Sequence, residues 1–239
     1  MILFLDFDGT LVGFKRNPAE VRLGDSERQL LERLSRHRRV SLVFISGRRR
    51  VDLKKQVAVR AAAYLGLHGF ESRAGIRLSI ESRQWLVRIR ALVDERICGL
   101  RGVRLEDKRS SLALHYREAP AVLAAKARAA VMQVLAAERA PLHVLRGKKI
   151  LEMLPPEIEG KGAAASMLVR NLGRGVLPVY FGDDATDEMA FVALRKLARN
   201  GGPDPVTVHV GNGRTEAKYR VRTINEVRIC LERLREALS

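Results

Sequence analysis

Short apolar runs alternate with helical segments through the N-terminal part of the chain. The runs at 2–7, 40–45 and 64–67 are almost uninterrupted and have the length of a β-strand, which is typical of buried strands in parallel sheets. Between them, the segment 26–36 places leucines at helical spacing, and the segment 48–59 is a second predicted helix. This alternation of strand and helix predicts a doubly wound parallel sheet.

The pattern changes after about residue 80. Helical segments then alternate with pairs of short strands, at 84–97, 103–116, 121–137 and 142–154. A helix followed by two strands, repeated once, is a compact α+β arrangement and does not continue the strand–helix order of the preceding part. We therefore predict that residues 81–157 form an inserted α+β domain.

The strand–helix alternation returns from Gly162 onwards. The predicted elements are a helix to residue 172, a strand at 176–181, a helix from Thr186, a strand at 206–210 and a helix at 227–238. The predicted fold class is therefore α/β. Residues 1–80 and 158–239 are predicted to form a core domain built on a doubly wound parallel sheet. The α+β domain is inserted into this core domain.

The chain is strongly basic, with 44 Lys+Arg against 27 Asp+Glu residues and a formal net charge of +17. Such a surplus attracts polyanions, which include nucleic acid, acidic membranes and phosphorylated small molecules. The arginines are spread along the chain, however, and aromatic residues make up only 5%, so the sequence offers no aromatic ladder for stacked bases. A basic nucleic-acid-binding protein stays open as an alternative hypothesis, but we expect no nucleic-acid partner.

The sequence lacks the features of membrane and secreted proteins. No apolar run approaches the roughly 18 residues that a membrane span requires. Residues 1–6 reach an aspartate at once and contain no basic segment, unlike a signal peptide. The two cysteines, Cys98 and Cys230, are too few for a disulfide framework. We expect a cytoplasmic protein with no membrane partner.

Two clusters of acidic residues follow predicted strands. Asp6 and Asp8 come at the end of the first strand, before Gly9-Thr10, and the second cluster lies at 182–188. Open α/β sheets bind their ligands at the carboxyl ends of the strands. Carboxylate oxygens alone favour Mg²⁺, which also binds substrate phosphate oxygens. Capping of the following helices is the structural alternative for some of these aspartates.

Two anion-binding signals lie between the acidic clusters. Ser46-Gly47-Arg48 comes where a predicted strand becomes a helix, and the backbone N–H groups of a helix N-terminus can hold a phosphate. Lys161 stands between two glycines, which would let its ammonium approach a phosphate closely. Each signal has an ordinary alternative, because Ser is also a common helix cap and a loop lysine is usually solvated.

In this order the four signals resemble the motifs of the haloacid dehalogenase superfamily of phosphohydrolases. The matching residues are DxDGT at 6–10, Ser46, Lys161 and GDDxxD at 182–187. The insertion between Ser46 and Lys161 is where this superfamily places its C2-type cap. The resemblance implies a phosphatase with a capped α/β core, a small phosphorylated substrate and Mg²⁺ as the cofactor.

The resemblance also implies a role for each matched residue. Asp6 would attack phosphorus and form an aspartyl-phosphate, while Asp8 would protonate the leaving oxygen and then activate water. Ser46 and Lys161 would hold the phosphoryl oxygens. The implied metal ligands are Asp6, the carbonyl of Asp8, and Asp183, with support from Asp184 and Asp187. The implied phosphate-binding residues are Gly9, Thr10, Gly47 and Arg48.

Further stretches resemble the trehalose-6-phosphate phosphatases of this superfamily. They lie at 44–48, 66–69, 106–117 and 147–152. The residues that would bind the sugar by this resemblance are His68, Glu106, Lys108, Arg117 and Glu152. Carboxylates and an ammonium suit sugar hydroxyls, which both donate and accept hydrogen bonds. The alternative is that these residues are ordinary charges on an exposed sheet face.

The resemblance implies hydrolysis of trehalose 6-phosphate to trehalose and phosphate, and a functional link to a trehalose-6-phosphate synthase. The sequence departs from the family at Leu154, where relatives often carry an arginine. If that arginine anchors the sugar phosphate, Leu154 lacks a hydrogen-bond donor at this point. Hydrolysis of another sugar phosphate is the alternative, and the candidates are sucrose phosphate, glycosyl-phosphoglycerate and hexose phosphates.

Overall fold

The computed structural model describes residues 1–15, 17–72, 78–147, 149–173 and 175–238. The chain forms two compact units, one of residues 1–75 and 159–239 and the other of residues 76–158. The inserted domain predicted at 81–157 starts five residues later and ends one residue earlier than the second unit.

Ten strands and seven helices lie within the described part of the chain. The strands are β1 Ile2–Leu5, β2 Ser41–Ile45, β3 Ala63–Leu65, β4 Arg104–Asp107, β5 Leu112–His115, β6 His143–Gly147, β7 Ile150–Leu154, β8 Pro178–Gly182, β9 Val206–Val210 and β10 Tyr219–Val221. The helices are α1 Asp25–Ser35, α2 Arg50–Val57, α3 Ile80–Ile97, α4 Ala121–Glu138, α5 Lys161–Leu172, α6 Ala185–Arg199 and α7 Ile224–Leu238.

A six-stranded sheet in the order β10-β9-β8-β1-β2-β3 forms the centre of the larger unit. All neighbouring strands in it are parallel. β1 lies between β2 and β8, where Leu5 is paired with Phe44 on one side and with Phe181 on the other. The predicted α/β class with a doubly wound parallel sheet is confirmed.

Successive side chains of β1 enter two different hydrophobic cores, because alternate residues of a strand point to opposite faces of the sheet. Leu3 and Leu5 belong to a core cluster that also contains residues of α1, α2 and α7. Ile2 and Phe4 belong to a second cluster, with residues of α5 and α6. Burial on both faces explains why the strand reads as an uninterrupted apolar run.

The carboxyl ends of the central strands bring the sequence motifs to one edge of the sheet. Asp6 follows β1, Ser46 follows β2 and Asp183 follows β8. These three strands are parallel neighbours, so their ends lie side by side. The edge is the position at which open α/β sheets bind ligands.

Several predicted limits differ from the structure, and one strand was not predicted. β1 ends at Leu5 and not at Phe7, because the chain turns there and the carbonyl of Phe7 accepts hydrogen bonds from the N–H groups of Leu11 and Val12. The helix predicted from residue 48 begins at Arg50. β10 was not predicted, since it has only three residues, which are exposed or half-buried.

The smaller unit consists of a four-stranded antiparallel sheet, in the order β4-β5-β7-β6, with α3 and α4. The predicted order of one helix and two strands, repeated once, is confirmed. In the sheet, Ala113 is paired with Glu106 on one side and with Glu152 on the other. Directly paired residues share a face, so both carboxylates lie on the same side of this sheet.

Among the helices of the described residues, none combines the length and the apolar character of a membrane span.

Candidate active site

The turn after β1 places acidic and small residues against the second acidic cluster. Asp6 is buried and Asp8 is half-buried. Gly9 has a φ of +93°, and a Cβ at this position would overlap the carboxylate of Asp183. The Thr10 hydroxyl lies 3.4 Å from Asp183 Oδ1. Gly9 and Thr10, predicted to bind phosphate, therefore contact Asp183 in this structure, and Gly9 is required for the close approach.

Lys161 is the cation at the centre of the acidic cluster. Its side chain is 1% exposed, and its ammonium donates to Asp6 Oδ1 at 2.7 Å and to Asp187 Oδ1 at 2.8 Å. Asp184 Oδ1 lies 3.8 Å away. Burial opposes the ammonium charge, but the three aspartates outweigh it, so the pKa of Lys161 lies well above its ordinary value. The alternative of a solvated loop lysine is wrong.

Asp184 and Asp187 hold the start of α6. Asp184 caps the helix, since its carboxylate accepts hydrogen bonds from the N–H groups of Thr186 and Asp187. Asp187 is fully buried and accepts from the N–H groups of Asp183 and Asp184, at 3.0 and 3.1 Å. The Tyr180 hydroxyl donates to it as well, at 2.8 Å. Helix capping thus explains Asp184, and Asp187 both closes the capping box and binds Lys161.

The acidic cluster can hold a divalent cation. Asp6, Asp183 and Asp187 each offer a carboxylate oxygen, and these oxygens lie within 4.8 Å of one another. Burial, together with the neighbouring Asp184 and Asp183, raises the pKa of Asp6 to about 7, although Lys161 opposes this shift. The pKa of Asp187 is also raised, chiefly by burial. The surplus of negative charge and the all-oxygen donor set fit a hard cation of the Mg²⁺ type.

Ser46 and Arg48 connect the end of β2 to the turn after β1. Ser46 is buried, and its hydroxyl accepts a hydrogen bond from the N–H of Arg48 at 3.2 Å. The Arg48 guanidinium donates to both oxygens of Asp8, at 2.5 and 2.6 Å. α2 begins only at Arg50, whose N–H donates to the Glu71 carboxylate at 2.6 Å. The segment 46–48 lies between the end of β2 and the start of α2, as predicted, but the alternative of Ser46 as the cap of that helix is wrong, because the N-cap is Arg49 and Glu71 accepts from the first helical N–H.

His68 lies beside this segment in an uncommon backbone conformation. Leu67 and His68 have φ values of 50° and 58°, in the left-handed region, and such residues store strain of order 1–3 kcal/mol each. The N–H of His68 donates to the carbonyl of Ser46 at 2.9 Å. A Cβ on Gly47 would lie 2.8 Å from His68 Cε1, so the buried ring packs directly over Gly47. His68 is thus brought to the edge of the sheet that carries the aspartates.

The predicted sugar-binding residues of the smaller unit form two adjacent polar groups. Lys108 Nζ donates to Glu152 Oε1 at 2.8 Å, and the hydroxyl of Ser111 donates to the same oxygen at 2.8 Å. Lys108 and Glu152 are only 8% and 4% exposed, so this pair is buried. The carboxylate of Glu106 accepts a hydrogen bond from His115 Nε2 at 2.7 Å. The hydrogen bond with His115 lowers the pKa of Glu106, with burial opposing and Lys108 assisting.

Arg117 is the remaining predicted sugar-binding residue of the smaller unit. Arg117 is exposed and follows β5, two residues after His115. Lys148, within the stretch that resembles the family, lies outside the described residues. The structure therefore groups Glu106, Lys108 and Glu152 on one sheet of the smaller unit.

Tyr180 and Glu71 were not identified from the sequence. Tyr180 supplies the hydroxyl that fixes Asp187, and a lone hydroxyl in the apolar strand β8 was the signal available for it. Glu71 caps α2 from a position that is distant in sequence, and no local pattern indicates such a contact.

Comparison with known proteins shows the family. A sequence model of the trehalose-phosphatase family matches residues 4–225. The chain is 34% identical to the trehalose-phosphate phosphatase of Mycolicibacterium paratuberculosis, over 84% of this chain and 52% of that protein. It is 30% identical to the trehalose-6-phosphate phosphatase of Escherichia coli strain K12, over 99% of this chain and 87% of that protein. The chain thus spans about half the length of the mycobacterial relative.

The fold is shared with a solved structure. The C-terminal domain of the C. albicans trehalose-6-phosphate phosphatase superimposes with a TM-score of 0.85 and 23% sequence identity. The superposition covers 100% of this chain and 93% of that domain. At this identity the likeness shows the fold alone, whereas the family follows from the sequence match. This chain belongs to the trehalose-phosphatase family.

Proposed function

We propose that this protein is a Mg²⁺-dependent phosphatase that hydrolyses trehalose 6-phosphate to trehalose and inorganic phosphate. One observation carries the proposal: Lys161 is buried in contact with Asp6 and Asp187, at the edge of the sheet where Asp183 also lies. A buried cation among converging carboxylates is suited to a phosphate ester, whose negative charge must be neutralised before a carboxylate can approach it. Membership of the trehalose-phosphatase family supplies the substrate class.

Asp6 is the proposed nucleophile. Its oxygen forms a bond to phosphorus, the bond between phosphorus and the ester oxygen breaks, and Asp8 gives a proton to the departing oxygen. Water then attacks the aspartyl-phosphate, its proton passes to Asp8, and the bond between phosphorus and Asp6 breaks. The covalent intermediate divides one difficult displacement into two easier ones. Lys161 supports this role because it fixes one oxygen of Asp6 and so orients the carboxylate.

Asp6, Asp183 and the carbonyl of Asp8 are the proposed ligands of Mg²⁺, with Asp184 and Asp187 in support. When bound, the cation would neutralise the charge of the substrate phosphate and of the carboxylates around it. The close grouping of Asp6, Asp183 and Asp187 supports this assignment. The proposed contacts of the phosphoryl group are Ser46, Lys161, Gly9, Thr10 and Gly47. Arg48, which the sequence predicted among them, binds the carboxylate of Asp8 instead.

The polar face of the smaller unit supports a sugar substrate. Glu106 and Glu152 lie on one side of the antiparallel sheet, and Lys108 and Ser111 bind to Glu152. Such a set both donates and accepts hydrogen bonds, as vicinal sugar hydroxyls do. A site of this kind discriminates against analogues that lack the hydroxyls. We propose that these residues, with Arg117 and His68, select the sugar.

Leu154 favours a second candidate, a phosphatase for another sugar phosphate. It is buried at the end of β7 and offers no donor at the position where relatives often have arginine. Sucrose phosphate, glycosyl-phosphoglycerate and hexose phosphates are the substrates to compare. A trehalose-6-phosphate synthase as the source of substrate and a cytoplasmic location both stay predictions.

Phosphate release from a panel of these sugar phosphates, with Mg²⁺ and with EDTA, tests the proposal. We expect fastest turnover with trehalose 6-phosphate, loss of turnover in EDTA, and no turnover by Asp6→Asn, which keeps the size of the side chain. Faster turnover of another sugar phosphate would identify that ester as the substrate and would leave the proposed mechanism unchanged. Activity in Asp6→Asn would refute the nucleophile, and no phosphate release from any ester would refute the function.

A further inference from the structure

Arg48 forms a bidentate ion pair with Asp8. Its Nε and one terminal nitrogen each donate to a different oxygen of the Asp8 carboxylate, at 2.5 and 2.6 Å. The two side chains are 14% and 24% exposed, so the pair is mostly shielded from water. A fork of parallel hydrogen bonds fixes both the position and the plane of a carboxylate, which a single bond cannot do.

Arg48 is itself held from three other directions. Its second terminal nitrogen donates to the carbonyl of Pro18 at 2.7 Å. The guanidinium lies 5.4 Å from the centre of the Phe7 ring, within the range of a cation–π contact. Its backbone N–H donates to the hydroxyl of Ser46. Arg48 is therefore a rigid support, and an aspartate attached to it has little freedom to change rotamer.

We infer that Arg48 is a positioning residue, which holds the Asp8 carboxyl group in the orientation from which it gives its proton to the leaving ester oxygen. The inference rests on the proposed function, in which Asp8 is the general acid. It assigns to Arg48 a role through Asp8, where the sequence predicted direct binding of phosphate. A positioned general acid contributes about 10²- to 10⁴-fold to rate, and that contribution depends on the distance between the acid and the oxygen.

The leaving group provides the test. An alkoxide, such as the one from a sugar phosphate, is a strong base and needs the proton as the ester bond breaks. The p-nitrophenolate ion is a weak base and leaves without one. The ratio kcat/KM reports the steps up to the first irreversible one, so it includes ester cleavage and excludes the later attack by water. Loss of a positioned acid therefore lowers kcat/KM for the sugar phosphate much more than for p-nitrophenyl phosphate.

Arg48→Lys is the main variant, because it keeps the positive charge and loses the fork. We expect its kcat/KM for the sugar phosphate to fall at least about tenfold more than its kcat/KM for p-nitrophenyl phosphate. The matched control is Arg50→Lys, two residues further along the chain. We expect its kcat/KM for the sugar phosphate and its kcat/KM for p-nitrophenyl phosphate to stay within about twofold of the wild-type values. Equal losses on the two substrates by Arg48→Lys would overturn the inference, since they would mean that Arg48 serves the shared phosphoryl group.

A double-mutant cycle separates action through Asp8 from contact with the sugar. In an Asp8→Asn background, Arg48→Lys should cause no further preferential loss on the sugar phosphate, because the group that it positions is absent. A preferential loss that persists in that background would overturn the inference. Melting temperatures of all variants, measured alongside, identify a variant that has merely unfolded, and kcat/KM is then taken from Arg48→Gln.

The proposed function and this inference fail in different ways. The comparison uses the sugar phosphate on which the wild-type protein is most active. A wild-type protein that releases phosphate from no ester refutes the proposed function, and the inference with it. An active wild type in which Arg48→Lys leaves the ratio of the two kcat/KM values unchanged refutes the inference alone.

Discussion

Lys161 shows how the burial of one residue organises the acidic edge of the sheet. Asp6, Asp184 and Asp187 lie within 4 Å of its ammonium, and the lysine itself is almost completely buried. Removing one partner of a buried ion pair leaves an uncompensated charge. The same residue therefore matters for stability and for the chemistry that we propose.

Replacing Lys161 by Met, which has a similar length and no charge, tests this dependence. We expect the free energy of unfolding to fall by about 3–5 kcal/mol, because the buried carboxylates lose their cation. Phosphatase activity should be abolished as well. Urea denaturation measures the first effect, and phosphate release measures the second.

Lys218→Met is the matched control. Lys218 pairs with Asp204 on the surface, where water screens the charges, so its loss should leave the urea midpoint unchanged. A midpoint for Lys161→Met as high as that of the control would show that the cluster does not need its ammonium.

The individual site residues were predictable to different degrees. Asp6, Lys161 and Asp183 stand in local motifs, and the structure places them together. The partner of Asp8 was not predictable, because the arginine that binds it follows a different strand and was expected to face phosphate. Tyr180 was not predicted as a site residue, because it lies in an apolar strand, where a tyrosine is expected to pack in the hydrophobic core.

At the scale of elements, a hydrogen bond between side chains links β4 and β5. Glu106 and His115 are hydrogen bonded across these strands at 2.7 Å. The bond lowers the pKa of Glu106 in the folded protein, with burial opposing. A carboxyl whose pKa is lowered by folding stabilises the fold above its ordinary pKa, and this stabilisation is lost as the pH falls through the folded value.

Glu106→Gln tests the pH dependence that follows. Wild type should lose more stability than the variant when the pH is lowered from about 6 to about 3, since only wild type takes up a proton at this position. The difference should be small, because the Glu106 side chain is 37% exposed and solvent screens it. Urea midpoints at several pH values measure it. Parallel pH profiles for the two proteins would contradict the prediction.

Element limits were harder to predict than element types. The order of strands and helices in both units followed from hydrophobic spacing, and the structure confirms it. The start of α2 did not, because Glu71 caps that helix from a position 21 residues away in sequence. β10 was not predicted, because this edge strand has only three residues, which are exposed or half-buried, and therefore no apolar run.

At the scale of the whole molecule, hydrophobic packing on both faces of the central sheet explains how a strongly basic chain can hold several carboxylates close together. β1 sends alternate side chains into a core on each face of the sheet, so its carboxyl end is fixed from both sides. Asp6 is thereby held next to Asp183 and Asp187, although mutual repulsion opposes that arrangement. The folded larger unit keeps these carboxylates close together despite their mutual repulsion, and a bound cation would reduce that repulsion.

Metal-dependent stability is the consequence for the molecule as a whole. A ligand that binds only the folded state stabilises it by about 2.7 kcal/mol at 100 times its dissociation constant. We expect Mg²⁺ to raise the denaturation midpoint of wild type relative to EDTA. Asp183→Asn should remove this increase while raising the midpoint in EDTA, because one of the repelling carboxylates is gone.

Asp94→Asn is the control for the general effect of Mg²⁺ on the charge of the protein. Asp94 is a half-exposed residue of α3, paired with Arg90, and belongs to the other unit. Its loss should leave the Mg²⁺-dependent increase intact. An equal increase in wild type and in Asp183→Asn would place the cation elsewhere, because a site whose ligands are Asp6, the carbonyl of Asp8 and Asp183 loses affinity when one of its two carboxylate ligands becomes a neutral amide.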